Sequence, residues 1–439
     1  MTSASPFEFE PRRQSFPTVV VAWVVIVLCV GFVFYKVYIK SKTGSAAMQA
    51  QLALTCRYAV GTTKILPSSP GQMLTEVKRQ VKVPSERLLV APVIAELSTK
   101  EEAISYIEAT SGLEPAAAKA RETLLKIYAA GASSIPKDEA LVLENELGWC
   151  GRLALTWQMP DTAPERAKVL SGAKRTAMTL IAAALIVLLL IGIGLVMGIV
   201  ALVLRLTGVI QKHYAPDLPP LAPYVEGFAL FLAIYVGASF IKTLLEKAGV
   251  AGLVGLQIAL FATCLYPLLR GVNWREYRHA IGWNGGAGIF TEVGCGLLGY
   301  LAGLPIVVLG GVCSYVLVKL THAEQPIHPI SGEVGEGILS ILLLYLAAAV
   351  IAPVMEETLF RGMLYHHVRA KMHWIFAAML VGFIFAAIHP QGWAAIPVLG
   401  AIGFVLAMIR EWRGSLIASM TAHAFNNGLL VTMLICATR

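Results

Sequence analysis

The chain has 439 residues, of which 57% are hydrophobic and only 14% charged, and its mean hydropathy is +0.69. A soluble globular domain carries roughly 25% charged residues, so this balance excludes an ordinary water-soluble protein and points to one that lives in lipid. The formal charge of +8 is scattered beside apolar spans with no basic run or stripe, which argues against a nucleic-acid partner and leaves the lipid bilayer as the surface the chain meets.

A bilayer core about 30 Å thick takes roughly 20 apolar residues in a helix, and that template matches the chain about nine times. The first match runs from about Thr18 to Tyr35, behind a Pro-containing tail with Arg12 and Arg13. Its apolar core is long for a signal peptide, it ends in Phe34, Tyr35, Lys36 and Tyr38, and no small-residue cleavage site follows closely. Residues 1–40 therefore read as a tail and a retained transmembrane anchor.

Residues 41–175 change character, with charges throughout and helix punctuation at short intervals. Ser98 and Glu101 have capping-box spacing ahead of Ile104 and Ile107. Pro115 opens a stretch in which Leu124, Ile127 and Tyr128 share a face, and Pro136 precedes Asp138 and Glu139 as in a first helical turn. These are amphipathic helices of a water-facing helical domain, and no catalytic constellation is visible there. Of the seven cysteines, Cys29, Cys264, Cys295, Cys313 and Cys436 lie in apolar stretches, as small hydrophobes do. Cys56 and Cys150 lie in the polar domain, where a disulfide between them is an open alternative, and no CxxC or paired Cys/His spacing suggests a thiolate metal site.

Residues 176–439 read as an all-α block of about eight membrane helices. The spans fall near Ala177 to Leu206, Val225 to Leu245, Leu253 to Leu269, Ile289 to Val318, Ile338 to Val368, Ile375 to His389, Ala394 to Ile409 and Leu416 to Cys436. The fourth and fifth exceed the bilayer thickness, so tilt or kinking is expected, with Pro305 and Pro353 as the points. Short loops on one side collect Arg12, Arg13, Lys212, Arg270, Arg275, Arg278, Arg361, Arg369, Lys371, Arg410 and Arg413; the other side holds Lys242, Lys247, Lys319 and Arg439. The positive-inside bias then gives a cytoplasmic N-terminus and an external helical domain in a plasma or inner membrane, although Lys36, Lys40, Lys174 and Arg175 argue the other way. An external domain favours the Cys56 to Cys150 disulfide.

An ionisable group within a span costs several kcal/mol unless it is paired or hydrated, so each is a functional hypothesis. In Glu356-Glu357-Thr358-Leu359-Phe360-Arg361, Glu357 and Arg361 are four apart and share a helical face, while Glu356 points about 100° away. On its own this pattern equally marks a membrane boundary. His389 ends Phe385-Ala386-Ala387-Ile388-His389 and is followed by Pro390, a position where a lone histidine is commonly interfacial. His423 and Asn427 share a face in the middle of the last span, which also suits interhelical hydrogen bonding. Glu292 and Tyr300, in the fourth span, read as packing or boundary residues. Together, a carboxylate, two imidazoles and a carboxamide on three spans supply what water-dependent amide hydrolysis needs. Glu356 with His389 orients and deprotonates a water, and His423 with Asn427 meets the oxyanion. Glu356, His389 and His423 also form a set that can ligate zinc, leaving a place for water; no HExxH helix is present.

These residues resemble the CPBP family, the CAAX-processing and bacteriocin-processing intramembrane proteases, also called the Abi family. Its pattern of EExxxR, FxxxH and HxxxN or HxxxD is matched in order by Glu356-Glu357 to Arg361, Phe385 to His389, and His423 to Asn427. Arg413-Gly414-Ser415-Leu416 is similar to the family's lead-in to its third motif. The resemblance covers roughly Trp274 to the C-terminus and does not reach the anchor or the helical domain. It implies an intramembrane endopeptidase acting on a peptide or protein in or at the membrane. Glu356 would be the catalytic carboxylate, His389 its partner on the water, His423 and Asn427 the oxyanion side, and Glu357, Arg361 and Phe385 structural support. No cofactor is required in this reading, with zinc the alternative. A non-proteolytic membrane scaffold or immunity-type protein of the same fold is the competing hypothesis. A proton-relay transporter ranks last, since neither an inverted repeat nor paired broken helices are present.

Overall fold

The computed structural model describes residues 16–39, 46–66, 69–214, 222–241, 244, 247, 249–321 and 337–438. Arg12, Arg13, Lys40, Lys242 and Arg439, used above for the anchor and the orientation, lie outside them. All regular structure among the described residues is helical. The described residues within Met1–Lys40, Ile193–Gln325 and Ala347–Phe425 form one compact unit, and those within Ser41–Gly192, Pro326–Leu346 and Asn426–Arg439 form another.

The fold is that of a polytopic helical membrane protein. Among the described residues five helices are long and apolar enough to cross a bilayer: Pro17–Lys36, Pro164–Leu206, Ile289–Thr321, Ile338–Arg369 and Trp393–Arg413. The nine expected spans divide differently for a geometric reason. Ala222–Ala238, Gly255–Leu269 and Trp374–Ala387 are apolar but shorter; the first, with 17 residues, reaches only about 25 Å at 1.5 Å per residue. The last helix, Leu416–Thr438, has the length but is interrupted by His423, Asn426 and Asn427. Large apolar side chains stay exposed along the spans, for example Leu185, Leu188, Leu189 and Val196 on Pro164–Leu206. In water each such side chain would cost about 1.5–3 kcal/mol, so that surface belongs against acyl chains.

Pro164–Leu206 is one continuous helix of 43 residues, so the expected boundary at 175/176 falls inside a single element. Its first turns carry Val169, Leu170 and Ala173 in the core of the helical unit, with Leu52, Cys56, Val60, Ile94 and Leu124. The unit's helices between residues 46 and 155 bury apolar side chains in that core and leave most charged ones exposed. Pro115–Ala130 and Lys137–Leu147 begin at the proline signals and bury Leu124, Ile127, Tyr128 and Leu143. The helix Lys100–Glu108 is capped one residue later than the Ser98 reading, by Thr99, whose hydroxyl accepts from Glu102 N at 3.2 Å. Arg166 holds Glu96 through two bonds of 2.8 and 2.9 Å and Asp161 through one of 2.8 Å. Cys56 and Cys150 are both buried with free thiols; they are neighbours, and the Cys150 side chain, with burial, pushes the Cys56 thiol up.

In the other unit the anchor helix Phe16–Ile39 packs along Ala222–Ala238, placing Val19, Ala22 and Ile26 in a core with Phe228, Leu232, Phe360 and Phe385. Ile289–Thr321 runs unbroken through Pro305. The stretch from Ala347 onward is irregular: π-helical turns at Ala347–Ile351 and Thr358–Leu364 flank the short α-helix Ala352–Glu357. Pro353 sits in the first turn of that α segment, where its missing N–H follows the widened π turn.

Candidate active site

The site is built on three elements that the fold brings together. The first is the π-flanked helix bearing Glu356 and Glu357. Each π turn shifts the helical phase by a fraction of a turn, a device that recurs where side chains must be re-aimed. Glu357 and Arg361 are fully buried and paired, Arg361 Nη1 donating to Glu357 Oε1 at 2.7 Å. The guanidinium also donates to Gly403 O at 3.0 Å and lies over the Phe385 ring, 4.7 Å from its centroid.

That second bond depends on two glycines the sequence does not flag. Trp374–Ala387 and Ile396–Arg413 cross at Gly382 and Gly403, and a Cβ on Gly403 would lie 2.7 Å from Gly382 Cα. A Cβ on Gly382 would meet Gly400 O at 2.8 Å. The close approach carries the Gly403 carbonyl to the arginine.

The second element ends in His389. Its Nδ1 lies 2.5 Å from Phe385 O; a carbonyl only accepts, so Nδ1 carries the proton and Nε2 presents its lone pair. That Nε2 faces Glu356 Oε2 at 4.0 Å. Phe385, one turn back, lies tilted against the imidazole with ring centroids 4.3 Å apart and packs edge-on to Phe360. Its ring thus has both the Arg361 guanidinium and the His389 imidazole as neighbours.

The third element brings His423 from Leu416–Thr438. His423 is buried, its Nδ1 bonds Glu357 Oε1 at 2.9 Å, and its Nε2 lies 3.8 Å from Glu356 Oε2. Buried Ser419, one turn earlier, also reaches Glu357. Glu357 is therefore the hub that fixes both Arg361 and His423, a role the i, i+4 spacing shows only for the arginine.

Glu356, Glu357, Arg361, Phe385, His389 and His423 thus converge. Asn427 follows His423 by one helical turn, with its carboxamide oxygen accepting from Asn426 Nδ2 at 3.0 Å. Glu292, read as packing or boundary, is a buried ion-pair partner: Arg413 binds both its oxygens, at 2.7 and 3.1 Å. Tyr300 packs edge-on against Phe425. Arg361 and Arg410, counted above as loop cations, are both buried, because side-chain partners and not chain position decide where a guanidinium ends.

Glu356 and His389 keep about a fifth of their side-chain surface exposed, at 20% and 21%. A water bonded at about 2.8 Å to two atoms some 4 Å apart subtends roughly 90°, a permissible angle, so the gap between Glu356 Oε2 and the two imidazoles fits one water. Zinc held by Glu356, His389 and His423 would need ligand atoms about 2.0–2.2 Å from the metal and hence about 3.4 Å apart. The observed separations of 3.8 and 4.0 Å are looser, and among the described residues no group of three His, Cys, Asp or Glu is arranged to hold a metal ion. As placed, these residues are not a ready zinc site.

Residues 338–429 match the family model described as Type II CAAX prenyl endopeptidase Rce1-like. The matched segment is about a fifth of the chain and shorter than the stretch from Trp274 read above, yet it contains all three motifs. The resemblance to the CAAX-protease family therefore holds for the segment that carries the site. No curated protein and no solved structure matches the chain.

Proposed function

We propose that this protein is an intramembrane endopeptidase that hydrolyses a peptide bond of a substrate at the membrane face, with Glu356 as the base. The observation that carries the reading is the convergence of His389 Nε2 and His423 Nε2 on one oxygen of Glu356, at 4.0 and 3.8 Å. A water in that gap donates one hydrogen to Glu356 and one to His389 Nε2, whose tautomer is set by the Phe385 carbonyl. Glu356 takes the proton as the water oxygen attacks the scissile carbonyl, then returns it to the leaving amine.

His423 serves the oxyanion side. It stands between two carboxylates, with a partner for each ring nitrogen. Its ring is held against Glu357 through Nδ1 and turns Nε2 toward the place where negative charge develops. Asn427, one turn further along the helix, supplies a second donor to the oxyanion.

The base is tested with Glu356→Gln, which keeps the shape and removes the basicity. Cleavage of a membrane-anchored peptide should fall about 10²–10⁴-fold, with the unfolding temperature unchanged; full activity in a folded variant would end the proposal. The family's printed description concerns CAAX prenyl substrates, so a farnesylated and a non-prenylated peptide of the same sequence are the first pair to compare. No step here passes through a metal. Activity that survives exhaustive chelation supports the glutamate and water chemistry, whereas activity lost to chelation and restored by zinc would replace it.

A further inference from the structure

We propose that a second site in the membrane unit binds a phosphate-class anion on the buried guanidinium of Arg410. The site is a cavity of about 430 Å³ where the ends of Trp274–Ile281 and Ile396–Arg413 meet. Tyr214, Ala280, His366 and Arg410 form its buried part, while His213, His279 and Asn284 stand exposed at its mouth. None of these residues belongs to the Glu356, His389 and His423 cluster.

Arg410 is only 1% exposed. Its Nη2 donates to Ala280 O at 3.2 Å, but its Nε and Nη1 are buried without a hydrogen-bond partner. The nearby carboxylates are engaged elsewhere. Glu292 is bound by Arg413, and Glu411 by Arg369 at 3.0 Å, Lys212 at 3.4 Å and the Tyr365 hydroxyl at 2.9 Å. The helix ends offset part of the charge, a matter of at most about 2 kcal/mol, and leave three N–H groups unmet. A buried cation in that condition is destabilising unless an anion joins it.

The guanidinium is also held in a fixed pose. A Cβ at Gly282 would lie 2.5–2.7 Å from its Cζ and Nη atoms, so only glycine, here at φ +86°, leaves it room. On another side the Tyr214 ring lies 4.8 Å from Cζ, and the Tyr214 hydroxyl bonds His366 Nδ1 at 3.0 Å. A planar, preorganised fork with imidazoles around the entrance suits the oxygens of a phosphate group. That group comes either from inorganic phosphate or from a lipid headgroup.

The test uses the full chain in phosphatidylcholine nanodiscs, with its unfolding temperature followed by tryptophan fluorescence. One arm titrates sodium phosphate against sodium chloride of equal ionic strength, and the other replaces part of the lipid with phosphatidic acid. A ligand that binds only the folded state raises the unfolding temperature as it saturates. Stabilisation by phosphate in neutral discs identifies the free ion, and stabilisation by phosphatidic acid alone identifies a headgroup. In either case Arg410→Gln should weaken the effect about tenfold or more, the loss of charge-assisted bonds. His279→Gln, at the exposed rim, should weaken it by a smaller factor and keeps the test open if Arg410→Gln does not fold. No stabilisation in either arm, or equal stabilisation of wild type and both variants, overturns the proposal.

Discussion

Replacing Arg361 by alanine tests the design of the site most directly, because the side chain is fully buried and joined to Glu357 at 2.7 Å. At an effective dielectric near 20, two unit charges at that distance attract by about 6 kcal/mol, and desolvation of both ions offsets much of this. What Arg361→Ala exposes is the other side of the balance: Glu357 keeps its buried charge without its cation, and Gly403 O loses its donor. Removing one partner of a buried pair costs about 3–5 kcal/mol. At 1.4 kcal/mol per decade, that is a drop of about two to three and a half decades in the folding constant. The double variant Glu357→Gln with Arg361→Met removes both charges while keeping volume and an acceptor for His423, so it should recover more than half of the loss. The assay is reversible unfolding in mixed micelles, with peptide cleavage measured on the same samples. An Arg361→Ala protein as stable as wild type, or a double variant no better than the single, would refute the view that the pair holds the site together.

Gly403→Leu should cost about 1–3 kcal/mol or more and abolish cleavage, since its Cβ would lie 2.7 Å from Gly382 Cα; circular dichroism melts check the first and peptide cleavage the second. Thr99→Ala removes a cap that accepts from Glu102 N and should lower the stability of the helical unit by about 1 kcal/mol, with no effect on cleavage. Asp161 sets an acid limit: its bond from Arg166, reinforced by Lys64, holds its carboxyl below the usual range. A depressed folded value means that stability is full above the unfolded value near 3.9 and is lost as pH falls through the folded one. The effect is small because the carboxylate is 54% exposed, and Asp161→Asn should flatten the dependence of the melt between pH 5 and pH 3. In native protein, maleimide should fail to label buried Cys56 and Cys150 and should label both after denaturation; mass spectrometry reads the sites.

Much of this protein was determined by sequence alone. Apolar periodicity and the rarity of ionisable groups in lipid are local properties, so the helical membrane class and the three motif-bearing stretches are legible without coordinates. The i, i+4 spacing of Glu357 and Arg361 sets their pairing in the same way. Tertiary structure decided what depends on partners distant in the chain. The convergence of His389 and His423 on Glu356 needs π turns in one helix and a glycine crossing between two others, and neither leaves a pattern that a period can reveal. The continuity of Pro164–Leu206 hides behind a change from amphipathic to uniformly apolar, which looks like a boundary although the backbone hydrogen bonds never stop. Arg410 shows the same limit: by position it is a loop cation, and only the packing of Tyr214, Gly282 and Ala280 around it turns it into a buried charge. A residue's own chemistry is written in its type, but its charge environment is written by whatever the fold places beside it.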